Sequence, residues 1–275
     1  MPPQTWLITG CSTGFGRVLA ELLLQRGERV VATARRPETL DPLVAAHGDR
    51  VLALELDVTR HDQIDTVVAT ARERFRAIDV LVNNAGYGHI GTVEESSLED
   101  ARAMMETNYF GKLAVIKAVL PAMIARRAGR IVNIGSVAGQ IGFPALGYYC
   151  GSKFALAGLT ESLGAELAPL GIKVTLAELG PFATEFAGSM AVVPPAAHYD
   201  MTALAEVAGN GAWNRGDDPR DGALALLAAL ADPEPPRRLI LGGQGLVTVE
   251  MHEANRGAER GRWLGATRLE AESVG

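Results

Sequence analysis

Tyr149 and Lys153 are the residues of this 275-residue chain whose types and spacing most directly suggest chemistry. They lie in the stretch YYCGSKFALAGL, residues 148–159, which is otherwise made mostly of small and apolar side chains. If this stretch is helical, side chains four positions apart share a face, so Tyr149 lies beside Lys153 whereas Tyr148 points elsewhere. A phenol beside an ammonium group can exchange a proton with a substrate oxygen, because the positive charge stabilises the phenolate.

A second interpretation of this stretch involves no chemistry. An amphipathic helix with one snorkelling lysine and two packing tyrosines would have the same composition. Ser136 favours the catalytic interpretation, because it follows an apolar run in NIGSVAG, thirteen residues before Tyr149. A hydroxyl at that strand end would face the crevice to which the tyrosine helix returns.

Short β-rich runs alternate with amphipathic stretches along most of the chain. The runs are apolar throughout, as is typical of strands covered on both faces. They are TWLIT (5–9), RVVAT (29–33), VLALEL (51–56), DVLVN (79–83), RIVNIG (130–135), KVTLAEL (173–179) and RLILG (238–242). The stretches between them, such as LEDARAMMETNYFGKLAVIKAVL, are long enough for crossover helices. This alternation predicts an α/β fold with a doubly wound parallel sheet of about seven strands and helices on both faces.

The sequence predicts a single domain over residues 1–275. The alternation breaks between about 183 and 222, where Pro, Gly, Asn and Asp gather, and a long loop of this kind predicts a substrate lid. The apolar run at 223–231 predicts a buried helix, and residues from about 246 to 275 predict a last helix with a polar tail.

Ligands of doubly wound parallel sheets bind at the carboxyl ends of the strands, where the strand order reverses.

Composition and charge exclude several kinds of partner. The net charge is −6 at pH 7 and no long basic block is present, so neither nucleic acid nor an anionic membrane is an expected partner. The N-terminal residues lack the features of a secretory signal, and a cytoplasmic location is expected. Cys11 and Cys150 form neither a ligand cluster nor a disulfide framework, so both are expected to be reduced and no metal site is predicted.

A glycine-rich turn, TGCSTGFG, follows the first predicted strand. Gly10, Gly14 and Gly16 would let the backbone approach a pyrophosphate at the N-terminus of the next helix, where free N–H groups and a partial positive charge favour anions. The spacing G-x-x-x-G-x-G differs from the commoner G-x-G-x-x-G, and a plain tight turn is the alternative.

The end of the second strand indicates which dinucleotide would bind. An NAD-binding chain normally carries an acidic residue there, whereas this chain reads VVATARRPE, with Arg35 and Arg36. A guanidinium suits a 2′-phosphate because it donates charge-assisted, forked hydrogen bonds, so NADP(H) is preferred over NAD(H). The alternative is a pair of solvated arginines.

Polar residues also follow the third and fourth strands. Asp57 in LDVT is a candidate for the adenine amino group, and the backbone near Asn84 and Gly86 in NNAGYG is a candidate for the adenosine half of the cofactor. Alone, each of these segments would be interpreted as a turn.

Taken together, these motifs resemble those of the short-chain dehydrogenase/reductase family. TGCSTGFG matches its cofactor loop, NNAG its motif after strand four, and Asn108 its helix asparagine, while Ser136, Tyr149 and Lys153 match its catalytic residues. The resemblance covers nearly the whole chain and implies a Rossmann-like fold. It also implies reversible hydride transfer between a nicotinamide and a carbonyl or secondary alcohol, and assembly as a homodimer or homotetramer.

The resemblance assigns a role to each catalytic residue. Tyr149 is the general acid and base, Ser136 holds the substrate oxygen, Asn108 holds a water next to Lys153, and Lys153 also bridges the nicotinamide ribose. The charge of Lys153 and desolvation by the cofactor are expected to bring the pKa of Tyr149 from about 10 toward the working pH.

The resemblance also yields a set of cofactor-binding residues. They are Gly10, Ser12, Gly14, Phe15, Gly16, Arg35, Asp57, Val58, Asn84, Ala85, Gly86, Tyr149, Lys153, Gly180 and Thr184. One departure is visible after strand six: Leu179 precedes Gly180 where the family usually has proline, although Thr184 still matches the residue that meets the carboxamide.

Three functions are therefore weighed. The first is an NADP(H)-dependent carbonyl reductase or alcohol dehydrogenase acting on a mostly apolar small molecule. The second is an NAD(H)-dependent hydroxysteroid or lipid-alcohol dehydrogenase, and the third is a dinucleotide-sensing module without turnover. The predicted lid also contains His198, Tyr199 and Trp213. Lining of a substrate pocket and packing on their own loop are both open for these residues, so they are not assigned to the site.

Overall fold

Seven strands form one parallel sheet in the computed structural model, which describes residues 2–194, 196, 198–199 and 216–267. The strands are β1 Thr5–Ile8, β2 Arg29–Ala34, β3 Val51–Glu55, β4 Val80–Asn83, β6 Gly129–Ile134, β7 Ile172–Leu179 and β9 Arg238–Leu241. Their order is β3-β2-β1-β4-β6-β7-β9, with every neighbouring pair parallel. The predicted fold class and all seven strands are confirmed.

Eight α-helices connect or follow the strands in the described residues. They are α1 Gly14–Gln25, α2 Asp41–His47, α3 His61–Phe75, α4 Leu98–Met105, α5 Lys112–Arg126, α6 Gly147–Leu167, α7 Pro219–Ala231 and α8 Gly243–Thr267. Helix α7 contains the apolar run expected to be buried, and its first residue lies inside the segment predicted to be a lid.

Both faces of the sheet are covered, which explains why the strands are apolar throughout. On β1, Trp6 and Ile8 pack into one core with α1 and α7, whereas Leu7 packs into the opposite core with α3, α5 and α6. Successive side chains of a strand point to opposite faces, so a strand between two helix layers needs an apolar residue at every position.

The long helix expected over LEDARAMMETNYFGKLAVIKAVL is interrupted. A π-helical turn, Glu106–Gly111, separates α4 from α5. The segment Leu98–Arg126 is long and apolar enough to cross a membrane by length and composition alone. Here it packs as a core helix, with α5 lying against the sheet and against α3.

A second, two-stranded parallel sheet was not predicted. It pairs β5 His89–Ile90 with β8 Ala191–Val192, so the start of the predicted lid adds a strand to the segment after β4. The pairing joins residues about one hundred positions apart, and neither two-residue strand has a recognisable pattern of its own.

Candidate active site

The strand order reverses between β1 and β4, and a crevice opens at the carboxyl ends of these strands. Its volume is about 1030 Å³. The crevice brings together most of the residues that the sequence predicted for the site. The predicted site residues that line the crevice are Gly10, Ser12, Gly14, Phe15, Arg35, Asp57, Val58, Asn84, Ala85, Gly86, Ser136, Tyr149, Lys153, Gly180 and Thr184.

The glycine turn has the tight backbone that its composition predicts. Gly10 and Gly14 have φ of +73° and +61°, in the left-handed region that favours glycine. Gly16 lies in the first turn of α1, where an added Cβ would lie 2.5 Å from the carbonyl oxygen of Gly10 and closer still to the side-chain amide of Asn84. The loop therefore brings backbone N–H groups of a helix N-terminus to the crevice, where they suit a pyrophosphate.

Asn84 contributes its side chain, not only its backbone, to this loop. Its Nδ2 donates hydrogen bonds to the carbonyl oxygens of Thr9 and Gly10, at 2.9 and 2.8 Å. In return, Thr9 Oγ1 accepts from the backbone N–H groups of Asn84 and Ala85, both at 3.0 Å. These bonds fasten the end of β4 to the glycine turn. This role of the side chain is not predictable from the sequence, because the partners of Asn84 lie about 75 positions away.

Arg35 lies where the second strand ends. It is exposed and lines the crevice, whereas Arg36 is absent from the lining and turns into the short helical segment that follows. No carboxylate occupies this strand end, since β2 finishes at Ala34. Just after the neighbouring strand β3, Asp57 is held by Thr59, whose N–H and hydroxyl donate to its Oδ1 at 3.0 and 2.8 Å.

Three of the four predicted catalytic side chains, Ser136, Tyr149 and Lys153, meet in the crevice, whereas Asn108 does not line it. Ser136 follows β6, and Tyr149 and Lys153 lie one turn apart on α6, with all three buried. Lys153 Nζ lies 5.5 Å from the centroid of the Tyr149 ring, and it donates to the carbonyl oxygen of Ile134 at 3.1 Å. The helical spacing thus places an ammonium beside the phenol, as the sequence predicted.

Burial shifts the pKa values of this pair in directions that favour the neutral forms. It raises the pKa of Tyr149 to about 12, although the neighbouring Ser136 hydroxyl partly opposes the shift. It lowers the pKa of Lys153 to about 8. Burial by the protein acts against the expected lowering of this pKa, because a phenolate loses more hydration on burial than a phenol does, and the effect expected of a bound cofactor stays a prediction. Tyr149 is therefore protonated at neutral pH.

Asn108 lies in the π-helical turn and is fully buried. Its Nδ2 donates to Tyr87 O at 3.0 Å and to Ser152 Oγ at 3.1 Å, and its Oδ1 accepts from Tyr87 N at 3.2 Å. An added Cβ on Gly86 would lie 2.8 Å from this Oδ1, so the glycine permits the close approach. The arrangement places Asn108 between the segment after β4 and the residue preceding Lys153.

The departure from the usual proline at position 179 leaves a close backbone packing intact. Gly180 donates its N–H to Leu241 O at 2.9 Å, and an added Cβ on it would lie 2.8 Å from the Cα of Gly245. Further along, Thr184 lies next to Gly14 of the glycine turn: a Cβ on Gly14 would be 3.6 Å from the Thr184 Cβ.

Tyr148 separates from Tyr149, as the helical spacing predicted. Its hydroxyl donates to Ser96 O at 2.9 Å, and its ring lies 5.6 Å from that of His89. His89 is buried and its Nε2 lies 2.8 Å from Ser96 Oγ. Tyr148 thus anchors the segment after β4 and is absent from the crevice lining.

The lid aromatics that the structure describes do not pack only on their own loop. His198 Nε2 and the Tyr199 hydroxyl both lie 3.0 Å from Glu94 Oε2, outside the predicted lid, although their rings also stack with centroids 4.5 Å apart. Trp213 lies outside the described residues.

The two cysteines are free thiols, and burial raises the pKa of Cys11 to about 12 and also raises that of Cys150.

A doubly wound parallel sheet with a glycine turn at the start of its first helix, and with a Ser, a Tyr and a Lys at one crevice, is an architecture of dinucleotide-dependent oxidoreductases. The chain belongs to the short chain dehydrogenase family, whose pattern matches residues 4–191. The family resemblance and the enzyme class expected from the sequence are thereby confirmed.

Relatives of known sequence and structure cover most of the chain. Oxidoreductase BOA17 of Botryotinia fuckeliana is 39% identical over 243 residues, which are 87% of this chain and 89% of the relative. Human retinol dehydrogenase 8 is 36% identical over 253 residues, 86% of this chain and 80% of the relative. The structure of a short-chain dehydrogenase from Streptomyces avermitilis has a TM-score of 0.88 and 39% identity, with 98% of each chain covered.

Solved relatives with bound cofactor are divided between the two dinucleotides. Serine dehydrogenase complexed with NADP⁺ has a TM-score of 0.76 and 29% identity, covering 86% of this chain and 94% of its own. A short chain dehydrogenase/reductase from Burkholderia phymatum in complex with NAD has a TM-score of 0.81 and 27% identity, covering 94% and 95%. The relatives therefore establish nucleotide binding by the family without selecting one dinucleotide.

Proposed function

We propose that this protein is an NADP(H)-dependent oxidoreductase that transfers hydride between the nicotinamide and a carbonyl or secondary alcohol. It would act on a mostly apolar small molecule, as a ketone or aldehyde reductase or as an alcohol dehydrogenase. The observation that carries the proposal is the convergence of Ser136, Tyr149 and Lys153 on the crevice that begins at the glycine turn.

The residues that line the crevice fit a dinucleotide. The tight approach of Gly16 to Gly10 and Asn84 brings the backbone at the N-terminus of α1 to the crevice, where it would bind a pyrophosphate. Ser12, Phe15, Asp57, Val58, Ala85, Gly86, Gly180 and Thr184 complete the proposed binding set, and Lys153 would bridge the ribose hydroxyls. When bound, the nicotinamide would supply or accept the hydride.

The preference for NADP(H) rests on Arg35. Its side chain lies on the crevice at the end of β2, at a position where a carboxylate would repel a 2′-phosphate. A guanidinium there would instead pair with the phosphate.

The three side chains divide the acid–base work. At neutral pH Tyr149 carries its proton, so it can donate that proton to an oxygen on which negative charge develops during reduction. Ser136 would hold the same oxygen, and the charge of Lys153 would stabilise the phenolate that remains. Asn108 would hold a water next to Lys153, through which the phenolate regains its proton.

The apolar wall of the crevice supports a mostly apolar substrate. Phe143, Leu146, Phe186 and Met190 line the side next to Tyr149, and the Phe186 ring lies 5.9 Å from the Tyr149 ring. The names of two relatives, retinol dehydrogenase 8 and 3-ketodihydrosphingosine reductase, support lipid-like substrates. They also support the second candidate, an NAD(H)-dependent hydroxysteroid or lipid-alcohol dehydrogenase.

We further propose a cytoplasmic homodimer or homotetramer with a lid over about residues 183–222. Two phenylalanines support assembly through the helices after β4 and β6: Phe110 is 48% exposed and Phe154 on α6 is 45% exposed. Light scattering on the purified protein measures the number of subunits.

A substrate screen tests the proposed reaction. Ketones and aldehydes with apolar chains of increasing length are mixed with the protein and NADPH, and the decrease of NADPH absorbance is followed. We expect turnover with NADPH, with kcat/KM lower for NADH. Turnover with NADH at the higher kcat/KM would select the second candidate, and tight NADPH binding with no turnover of any carbonyl or alcohol would support the dinucleotide-sensing alternative.

A further inference from the structure

Two of the four lysines of this chain meet at one carbonyl oxygen. The lysines are at positions 112, 117, 153 and 173. Lys153 Nζ donates to Ile134 O at 3.1 Å, and Lys112 Nζ donates to the same oxygen at 3.1 Å. Lys112 also donates to Asn83 O at 2.9 Å. Asn83 and Ile134 are the last residues of β4 and β6, so Lys112 bridges two neighbouring strand ends beneath the active site.

The Lys112 side chain is fully buried, which is rare for a lysine without a carboxylate partner. On β4, Lys112 Nζ contacts the carbonyl oxygen of Asn83, while the Asn83 Nδ2 donates to the backbone carbonyl of Lys112 at 3.4 Å. Its contact on β6 is the Ile134 carbonyl, and the charged group that faces it from α6 is Lys153. In the described part of the chain, no carboxylate forms an ion pair with Lys112.

Such surroundings favour the uncharged amine. Burial lowers the pKa of Lys112 well below its ordinary value, and the charge of Lys153 lowers it further. A neutral amine still has two hydrogens, which matches the two carbonyl oxygens that Lys112 contacts.

We propose that Lys112 is a positioning residue for Lys153. Lys112 donates a hydrogen bond to Ile134 O and so satisfies part of the acceptor capacity of this oxygen. The hydrogen bond from the Lys153 ammonium to the same oxygen is therefore weaker than it would be without Lys112. That ammonium consequently remains beside the phenol of Tyr149. The bridge to Asn83 O keeps the carbonyl itself in place. The kinetic consequence of this arrangement rests on the proposed function, in which Tyr149 and Lys153 act as a pair.

Lys112→Met isolates this effect because methionine nearly matches the length of lysine and donates no hydrogen bond. In the variant, Ile134 O loses the Lys112 donor, so Lys153 is the one lysine that remains on it, beside its longer contact with Gly135 O at 3.4 Å. A stronger hydrogen bond from the charged form of Lys153 to Ile134 O raises the pKa of Lys153. The ammonium is also drawn toward the carbonyl and away from Tyr149. We expect kcat to fall roughly tenfold.

Side-chain NMR of protein labelled with ¹³C and ¹⁵N lysine measures this coupling directly, because the chain offers only four lysine signals. Wild type, Lys112→Met and Lys117→Met are titrated with pH. Lys117 is the matched control, since it is an exposed lysine on the same helix. We expect the Lys153 midpoint to rise by about 0.5 unit or more in Lys112→Met and to stay unchanged in Lys117→Met.

An unchanged Lys153 midpoint in a folded Lys112→Met protein would overturn the proposal, even if that variant were less stable. If Lys112→Met does not fold, the wild-type titration decides. Coupled groups each respond to both titration steps, so independent single-step curves for Lys112 and Lys153 would also overturn it. The NMR measurement needs no substrate. A shifted Lys153 midpoint without any carbonyl turnover would therefore refute the proposed function and leave the positioning of Lys153 supported.

Discussion

The carboxylate of Glu185 accepts a hydrogen bond from the backbone N–H of Gly14, with Oε2 and N 3.1 Å apart. Gly14 is the first residue of α1, and no acidic residue lies in the first turn of that helix. Glu185 thus brings a negative charge from the predicted lid to the helix N-terminus proposed to bind pyrophosphate. The next residue, Phe186, contacts the ring of Tyr149, so two successive residues of the predicted lid reach the glycine turn and the proposed catalytic tyrosine.

This contact predicts that Glu185→Gln tightens cofactor binding. The neutral amide no longer repels a pyrophosphate, and one exposed charge at a helix N-terminus corresponds to a change in Kd of about two- to fivefold. Fluorescence titration with NADPH at low and high salt measures the effect, which should shrink at high salt because the contact is exposed. Glu99→Gln, an exposed site on α4, should leave Kd unchanged. Weaker binding by Glu185→Gln would show that the carboxylate supports the cofactor.

Arg35→Ala should raise the Kd of NADPH and leave that of NADH nearly unchanged. A lost charged hydrogen bond to phosphate corresponds to a factor of about 10 to 100 in affinity. Isothermal titration with both dinucleotides measures the ratio of the two Kd values. Arg36→Ala is the matched control, because Arg36 does not line the crevice. An equal loss for both dinucleotides would mean that Arg35 does not recognise the 2′-phosphate.

Tyr149→Phe should abolish measurable turnover and leave the Kd of NADPH within about twofold. A positioned general acid contributes a factor of about 100 to 10,000, and the buried phenyl ring preserves the packing. Stopped-flow measurement of NADPH oxidation checks this expectation. Tyr148→Phe removes only the hydrogen bond to Ser96 O and should keep most of the activity. Comparable losses in the two variants would reject the assignment of Tyr149.

The rate of reduction should fall as the pH rises above about 8. The burial-lowered pKa of Lys153, about 8, means that Lys153 loses its charge there, whereas Tyr149, with a pKa of about 12, keeps its proton. Without the neighbouring charge the phenolate is less stable, so Tyr149 becomes a weaker acid. The measurement is kcat with saturating NADPH from pH 6 to 10. A kcat that stays constant up to pH 10 would contradict the assignment of this decrease to deprotonation of Lys153.

Gly16→Ala should disrupt the glycine turn. The added Cβ would lie 2.5 Å from the carbonyl oxygen of Gly10 and would also clash with the Asn84 amide, so the loop or β4 must move. Overpacking of this kind costs about 1–3 kcal/mol of stability. Thermal unfolding and NADPH titration should show a lower Tm and weaker binding. Gly158→Ala, in open space on α6, should raise the Tm instead because alanine favours the helix. Wild-type behaviour of Gly16→Ala would show that the loop adapts.

Much of the fold and several site residues could be predicted from local patterns. Apolar runs of strand length predicted all seven strands because a parallel strand buried on both faces needs apolar residues at every position. The four-residue spacing of Tyr149 and Lys153 predicted their proximity because it depends on one helix alone. The divergence of Tyr148 from Tyr149 followed from the same geometry.

The contacts that depend on distant segments were decided by the tertiary structure. Asn84 holds the glycine turn, β5 pairs with β8, and Glu185 reaches Gly14, and each of these pairs joins segments separated by about 70 to 170 positions. The direction of the Tyr149 pKa shift also required the structure, since it depends on burial by the whole crevice.

Lys112 most clearly shows the difference between what local sequence patterns predict and what tertiary packing decides. In the sequence it is one lysine at the start of an apolar helix, and nothing nearby distinguishes it from the exposed Lys117. The sequence by itself determined the strands, the helices and the residues that share a helical face, because these follow from periodicity and local geometry. Only the packing of α5 and α6 against the ends of β4 and β6 decided that Lys112 and Lys153 share one carbonyl, because that contact depends on four separate segments folding together.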